Sequence, residues 1–193
     1  MARSFSFGGI SSGQIFQFGM VVPDVDEAMR FWAENMRIGP FTRSRGFKAP
    51  DGWYRGSRDM PELSIAHVYT GRVFIELIQQ HDDTPSVYKE HIDKHGFGLH
   101  HYGIAIATED YDATLEKYYN LGFENIFTDT LHGEVRIRYI GPKGDAGLEK
   151  LRNETGVSYL ECVEMLPTEE AFFGGMIENA LNWDGKTVEM ARG

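Results

Sequence analysis

Two pairs of short segments recur in this chain at almost the same separation, and this repeat limits the possible folds more than any other feature. The segment QFGMVV begins at Gln17 and matches HYGIAI, which begins at His101, 84 residues later. A second pair, FIEL and YLEC, places Glu76 and Glu161 85 residues apart. Two matching separations are not expected by chance, so the chain is predicted to consist of two similar modules.

The composition is that of a chain that can fold around its own core. Of the 193 residues, 41% are hydrophobic and 13% aromatic, enough for one compact domain or two fused half-domains. The net charge of −10, without a basic cluster, argues against nucleic acid as a partner. No segment resembles a membrane span or a secretion signal, so we expect no membrane partner and a cytoplasmic location. The single cysteine, Cys162, excludes an internal disulfide framework.

Both halves of the chain show the same order of predicted elements. In the first half, alternating apolar residues predict a strand over residues 14–22, and Asp24 is a candidate N-cap for the helix that follows. In the second half, the corresponding strand and helix begin at residues 99 and 109. Further strands are predicted over residues 63–69, 72–79, 123–129, 135–140 and 157–165. The fold class is therefore α+β, with two tandem βαβββ modules.

The repeat also predicts how the chain is divided. We expect a flexible N-terminus over residues 1–13 and a first module over residues 14–80. A linker with a short helix over residues 81–97 then leads to the second module over residues 98–166. A C-terminal helical tail over residues 167–193 is predicted to follow. Two further stretches, residues 44–61 and 143–156, are predicted to be polar insertions that influence the choice of substrate.

Polar residues inside the repeated strands are the candidate site. Strand alternation places Gln17 on the same face as Gly19, and His101 on the same face as Gly103, whereas His100 points the other way. Buried polar groups are costly unless they are paired or bind a ligand. An amide, an imidazole and the two carboxylates of the repeat together offer the oxygen and nitrogen donors of a divalent-metal site. Packing of each residue against ordinary neighbours is the alternative.

The order and spacing of four motifs resemble the vicinal oxygen chelate superfamily. The motifs are IFQFGMVVPDVDEA, FIELIQ, GLHHYGIAI and YLECVEMLP, and the resemblance covers residues 14–166. This superfamily includes glyoxalase I, methylmalonyl-CoA epimerase, fosfomycin-resistance proteins and extradiol dioxygenases. The resemblance implies that the two modules form a curved mixed sheet around a metal-containing cleft.

The resemblance also implies which residues bind the metal. In that superfamily the ligands come from the first and last strands of each module, which here contain Gln17, Glu76, His101 and Glu161. This set resembles that of glyoxalase I. The epimerases usually have His and Gln where this chain has Gln17 and Glu76. The expected cofactor is one divalent ion, either Zn, Ni, Co, Mn or Fe.

Proton transfer is the chemistry expected of such a site. A metal that binds two adjacent substrate oxygens can stabilise an enediolate, and a carboxylate beside it can move the proton next to a carbonyl. The glyoxalase-like interpretation gives this role to Glu161, with Glu76 on the opposite side. We therefore expect a metal-dependent isomerase, epimerase or lyase that acts on a small organic molecule.

Two other functions stay open. An iron-dependent extradiol-type dioxygenase needs two histidines and one carboxylate, but Gln17 stands where the first histidine would be. A non-catalytic binding or resistance protein could use the same cleft to hold a small molecule. A homodimer is expected from the superfamily and from the apolar C-terminal tail.

Five further residues are candidates for the substrate pocket. His67 could act as a second acid or base, or could make an ordinary polar contact. Trp53 and Tyr54 suit a lid over an apolar substrate, or could pack their own loop. Arg136 and Arg138 share one face of a predicted strand, where they could hold a substrate anion or simply face solvent.

Overall fold

One curved, open sheet of mixed strands organises the protein. The computed structural model describes residues 3–190, in which ten strands and five helices are found. The strands are β1 (Gln14–Val21), β2 (Phe41–Phe47), β3 (Trp53–Tyr54), β4 (Leu63–Tyr69), β5 (Phe74–Gln80), β6 (Gly98–Ala107), β7 (Phe123–Leu131), β8 (Val135–Pro142), β9 (Tyr159–Met165) and β10 (Glu189–Met190). The helices are α1 (Val25–Asn35), α2 (Val87–His95), α3 (Thr108–Asn120), α4 (Asp145–Thr155) and α5 (Pro167–Leu181). Within residues 3–190 there is no helix that is long and apolar enough to cross a membrane.

The order of the strands confirms the predicted duplication. Across the sheet the order is β10-β2-β4-β5-β1-β6-β9-β8-β7-β3. The first module contains β1, α1, β2, β4 and β5, and the second contains β6, α3, β7, β8 and β9. The first strand of each module pairs in parallel with the last strand of the same module, and β1 pairs with β6 in antiparallel orientation. The predicted α+β fold with two βαβββ modules in a curved mixed sheet is therefore correct.

Helices α1 and α3 cover the outer face of the sheet. Asp24 caps α1 by accepting a hydrogen bond from the backbone N–H of Glu27, which satisfies a donor that the helix leaves free. Met29 of α1 packs in one cluster with Ile75 and Leu77 of β5. Burial of a side chain such as Leu77 contributes roughly 1.5–3 kcal/mol. Since both helices pack on the outer face, the inner face of the sheet is left for a cavity.

The predicted flexible N-terminus is instead packed over its described part. Phe5, Phe7 and Ile10 are buried, and they share one apolar cluster with Phe173 of α5. The sequence did not show this because the apolar residues are separated by Ser and Gly, which are typical of loops. Residues 1–2 of the predicted N-terminus and 191–193 of the predicted tail lie outside the described residues.

Both segments predicted as polar insertions contain regular structure. Residues 44–61 include the end of β2 and all of β3, and residues 143–156 contain all of α4. Strand β2 was not recognised because Arg43 is buried in it, where it pairs with Asp26 and Glu189. Helix α4 has no fully buried residue, so its sequence carries only a weak apolar periodicity.

Helix α2, in the segment between the modules, holds β3 in place. Strand β3 pairs with β7, so a loop of the first module extends the sheet of the second. Glu90 of α2 accepts a hydrogen bond from the hydroxyl of Tyr54 at 2.6 Å. Arg55 and Lys94 pair with the same carboxylate at 3.1 and 2.8 Å. Partial burial alone would raise the pKa of Glu90, but Lys94, Tyr54 and Arg55 lower it to about 2.

We expect Glu90→Gln to destabilise the protein by about 1 kcal/mol at pH 7, after allowance for the solvent exposure of the pair. The folded-state pKa lies below the ordinary value of 4.5, so the Glu90 carboxylate stabilises the fold above about pH 4.5. This contribution falls as the pH drops toward 2. Urea unfolding at pH 7 and pH 3 should therefore show a smaller difference from the wild type at pH 3.

Glu116→Gln is the matched control, because Glu116 is exposed on α3. It should change the free energy of unfolding little at either pH. A loss for Glu90→Gln that is the same at both pH values would contradict the ionic role of Glu90.

Candidate metal centre

The pairing of β1 with β6 places each candidate side-chain ligand opposite a glycine of the other module. Gln17 is the register partner of Gly103, and His101 is the register partner of Gly19. A Cβ atom on Gly19 would lie only 1.8 Å from Cε1 of His101. A Cβ atom on Gly103 would lie 2.9 Å from the Cβ of Gln17. The two glycines therefore make the space in which the amide and the imidazole meet.

The last strand of each module adds a carboxylate beside these glycines. Glu76 of β5 is the register partner of Gly19, and Glu161 of β9 is the register partner of Gly103. All four candidate ligands are buried, with exposed fractions between 0% for His101 and 6% for Glu76. Four neighbouring strands thus bring one polar side chain each to the middle of the inner face.

The four side chains form a small ring of alternating nitrogen and oxygen atoms. Nε2 of Gln17 donates to Oε2 of Glu76 at 3.1 Å and to Oε2 of Glu161 at 3.2 Å. Nε2 of His101 lies 3.2 Å from the same Glu76 oxygen and 3.3 Å from the same Glu161 oxygen. One ligand atom each from Glu76, His101 and Glu161 lies within 4.8 Å of the others, so the three could hold a metal ion.

Two of these side chains have an atom that the protein leaves unsatisfied. Among the described residues, Oε1 of Gln17 is buried without a hydrogen-bond partner, and Nε2 of His101 makes no hydrogen bond of normal geometry, although both carboxylates lie within 3.3 Å of it. Buried polar atoms are rarely left without a partner. A half-turn of the Gln17 amide exchanges its oxygen and nitrogen. Two neutral donors and two carboxylates then fit a divalent cation in both charge and donor type.

The electrostatics of the site also require a positive charge between the carboxylates. Burial lowers the pKa of His101, but the charges of Glu161 and Glu76 outweigh it and raise the pKa to about 9. Burial raises the pKa of Glu76, yet His101 and His67 bring it well below its usual range. Either a proton on His101 or a metal cation can supply the charge that the two carboxylates need.

His100 orients His101 from the other side of β6. Its Nδ1 lies 2.9 Å from Nδ1 of His101, and its Nε2 lies 3.2 Å from the carbonyl oxygen of Val87. Burial lowers the pKa of His100 well below its ordinary value, so this ring is neutral. If His100 donates from Nε2 to Val87, its Nδ1 accepts the proton of His101 Nδ1. This tautomer leaves Nε2 of His101 free as a metal ligand.

A cavity of about 360 Å³ lies against the candidate ligands on the inner face of the sheet. Gln17, Glu76 and Glu161 are among its lining residues, together with side chains from both modules and from α5. His67 and Tyr54, two of the predicted pocket residues, also line it. Trp53 does not contribute to the lining.

The structure overturns the predicted role of the two arginines. Arg136 lies on the outer face, where it pairs with Glu164 and Asp112. Arg138 donates to the backbone carbonyl oxygen of Asp129 at 2.8 Å. The cavity is lined instead by the residues that alternate with them on β8, namely Val135, Ile137 and Tyr139. Both arginines are therefore turned away from the cavity.

Sequence reasoning missed Tyr139, which is the register partner of Glu161. Its position corresponds to that of His67, the register partner of Glu76 in the first module. Nε2 of His67 lies 3.1 Å from Oε1 of Glu76. Residues alternate between the two faces of a strand, so the pattern that puts Arg136 and Arg138 on one face of β8 also puts Tyr139 on the opposite face. This alternation was the sequence signal for Tyr139.

Several solved structures resemble this one at low sequence identity. Methylmalonyl-CoA epimerase from Mycobacterium tuberculosis is 18% identical, with a TM-score of 0.55 over 89% of this chain and 96% of that chain. A hypothetical protein from Bacillus halodurans is 16% identical, with a TM-score of 0.54 over 81% of this chain and 96% of that chain. A Streptomyces coelicolor methylmalonyl-CoA epimerase in complex with 2-nitronate-propionyl-CoA is 16% identical, with a TM-score of 0.54 over 81% of this chain and 97% of that chain.

These structures are similar to the chain in fold. Among curated proteins, no sequence matches it. The model of one family matches residues 16–140, which is more than half of the chain and includes three of the four candidate ligands. The chain therefore belongs to the glyoxalase/bleomycin resistance protein/dioxygenase superfamily.

Proposed function

We propose that this protein is a divalent-metal-dependent isomerase, epimerase or lyase of the glyoxalase type, which moves a proton on a carbon next to a carbonyl. The observation that carries the proposal is the ring formed by the four buried side chains. Oε1 of Gln17 has no partner there, Nε2 of His101 faces both carboxylates without a hydrogen bond of normal geometry, and Glu76 and Glu161 supply two negative charges. Membership of the superfamily, which includes metal-dependent enzymes of this kind, supports the same conclusion.

The metal would be held by the four candidate ligands, Gln17, Glu76, His101 and Glu161. A divalent cation at this position would supply a Lewis acid to two adjacent oxygens of the substrate. The donor set of one imidazole and three oxygens suits several first-row divalent metals. His100 would keep the imidazole of His101 in the orientation that binds the metal.

Glu161 is the better placed of the two carboxylates to move the proton. Oε1 of Glu76 is held by His67 at 3.1 Å, and the nearby histidines lower the pKa of Glu76 well below its usual range. A carboxylate that is stabilised in this way is a poor base. In the second module, Tyr139 occupies the position of His67, so Glu161 has no histidine equivalent to His67 beside it. We assign the base to Glu161, and the same carboxyl group, once protonated, would return the proton to the neighbouring carbon. Glu76, on the opposite side, would stay ionised beside His67.

Gly19→Ala tests the metal site without removing a ligand. The added Cβ would lie 1.8 Å from the ring of His101 and would force the imidazole out of the ring of ligands. We expect the affinity for Mn²⁺ or Ni²⁺ to fall at least tenfold, measured by titration calorimetry and by metal analysis after dialysis. Circular dichroism would establish that the variant is folded.

Gly174→Ala is the control for this experiment. Gly174 lies in α5, and a Cβ atom there would meet nothing within 4 Å. It should bind metal as the wild type does. Unchanged metal affinity in a folded Gly19→Ala variant would contradict the proposed site, as would a wild-type protein that binds no divalent ion.

Glu161→Gln tests the proposed base. An amide can still offer an oxygen to the metal but cannot accept the proton, so we expect turnover to fall at least 100-fold while the metal remains bound. Exchange of the carbon-bound proton in deuterated water, followed by NMR with a panel of α-hydroxyketones and thioesters, is the measurement. Glu134→Gln, which changes an exposed carboxylate that does not line the cavity, should exchange normally. Full activity in Glu161→Gln would rule out Glu161 as the base.

A further inference from the structure

The side chains that line the cavity away from the metal-binding end are predominantly apolar and aromatic. Phe127 and Leu131 of β7, Ile137 of β8 and Phe172 of α5 all line it. The volume of about 360 Å³ lies toward the lower end of the range of about 300–1,000 Å³ that is typical of small-molecule sites. Apolar surface of this kind favours a compact apolar group in the ligand.

The charges that line the cavity are negative. Besides the candidate ligands, Asp129 and Glu169 contribute carboxylates to the lining. Among the described residues that line the cavity, none is Lys or Arg. Arg136 and Arg138, which alternate with the lining residues of β8, lie on the outer face, where Arg136 pairs with Glu164 and Arg138 donates to the backbone carbonyl oxygen of Asp129. A carboxylate or phosphate on the part of the substrate away from the metal would therefore meet no lysine or arginine of the lining, and it would be repelled by Asp129 and Glu169.

Two phenols give the cavity neutral hydrogen-bonding groups. The hydroxyls of Tyr88 and Tyr139 lie 3.1 Å apart, and both residues line the cavity. Phenols are uncharged at neutral pH. They can hydrogen-bond an uncharged oxygen without adding a charge of their own.

The geometry points to a specific substrate class: an uncharged molecule with two adjacent oxygens at one end and a compact apolar group, such as an aromatic ring, at the other. The oxygens face Gln17, Glu76, His101 and Glu161, and the ring occupies the part of the cavity lined by Phe127 and Leu131. This inference rests on the proposed function, because the adjacent oxygens are placed by the metal that the four ligands would hold.

Three probes separate the contributions of ring and charge. 2-Hydroxyacetophenone is an uncharged aromatic α-hydroxyketone, hydroxyacetone lacks the ring, and 4-(2-hydroxyacetyl)benzoate keeps the ring and the hydroxyketone but carries a carboxylate at the far end of the ring. Each would be titrated calorimetrically into the metal-loaded protein, so that binding is measured independently of turnover. We expect 2-hydroxyacetophenone to bind at least tenfold more tightly than either of the other two.

Phe127→Ala tests where the ring binds. It should weaken binding of 2-hydroxyacetophenone at least fivefold and change that of hydroxyacetone less than twofold. Phe123→Ala is the matched control, because Phe123 is on the same strand but packs with Tyr118 on the outer face. It should leave both affinities within twofold of the wild type. Equal losses in the two variants would overturn the proposed location of the ring.

The outcomes also distinguish this inference from the proposed function. Metal-loaded protein that binds 4-(2-hydroxyacetyl)benzoate or hydroxyacetone as tightly as 2-hydroxyacetophenone, or that binds none of the three, overturns the substrate class and leaves the metal site standing. Protein that binds no divalent metal overturns the proposed function and, with it, this inference.

Discussion

Two carboxylates buried side by side are the constraint on which the rest of this structure depends. Glu76 and Glu161 each place an oxygen within 3.3 Å of the same two nitrogen atoms, in a region from which water is largely excluded. Such a pair is strongly unfavourable unless a positive charge lies between or beside it. The raised pKa of His101 is a consequence of this requirement. One divalent cation between the two carboxylates would supply the positive charge that they need.

The duplicated fold explains how four strands deliver these side chains to one point. The pairing of β1 with β6 relates the two modules, so that a row of residues across one module has a counterpart in the other. The first row crosses β4, β5, β1 and β6 and consists of His67, Glu76, Gly19 and His101. The second row crosses β8, β9, β6 and β1 and consists of Tyr139, Glu161, Gly103 and Gln17. Glycine and glutamate are the same in both rows. The other positions differ, and because of this difference the two glutamates have different neighbours.

Much of this arrangement could be predicted from the sequence, since strand alternation and repeat spacing are local properties. They placed Gln17 with Gly19, distinguished His101 from His100, and gave the βαβββ order. They failed where tertiary contacts override local pattern. Arg43 lies buried in a strand because two acidic residues from distant segments pair with it. Phe16 and Gln17 both line the cavity, although they are adjacent, because the pairing of β1 with β6 shifts register at this point.

By itself, the sequence determined the duplication, the strands that carry the four candidate ligands and the type of donor that each provides, because these follow from composition and from the two-residue period of a strand. Only the tertiary structure decided what surrounds them. The direction of Arg136 and Arg138, the packing of the N-terminal phenylalanines and the position of Tyr139 all depend on which face of a strand meets which distant element. The predominantly apolar lining of the cavity, which has no lysine or arginine among the described residues, is assembled from segments that are far apart in the chain, and no local pattern contains it.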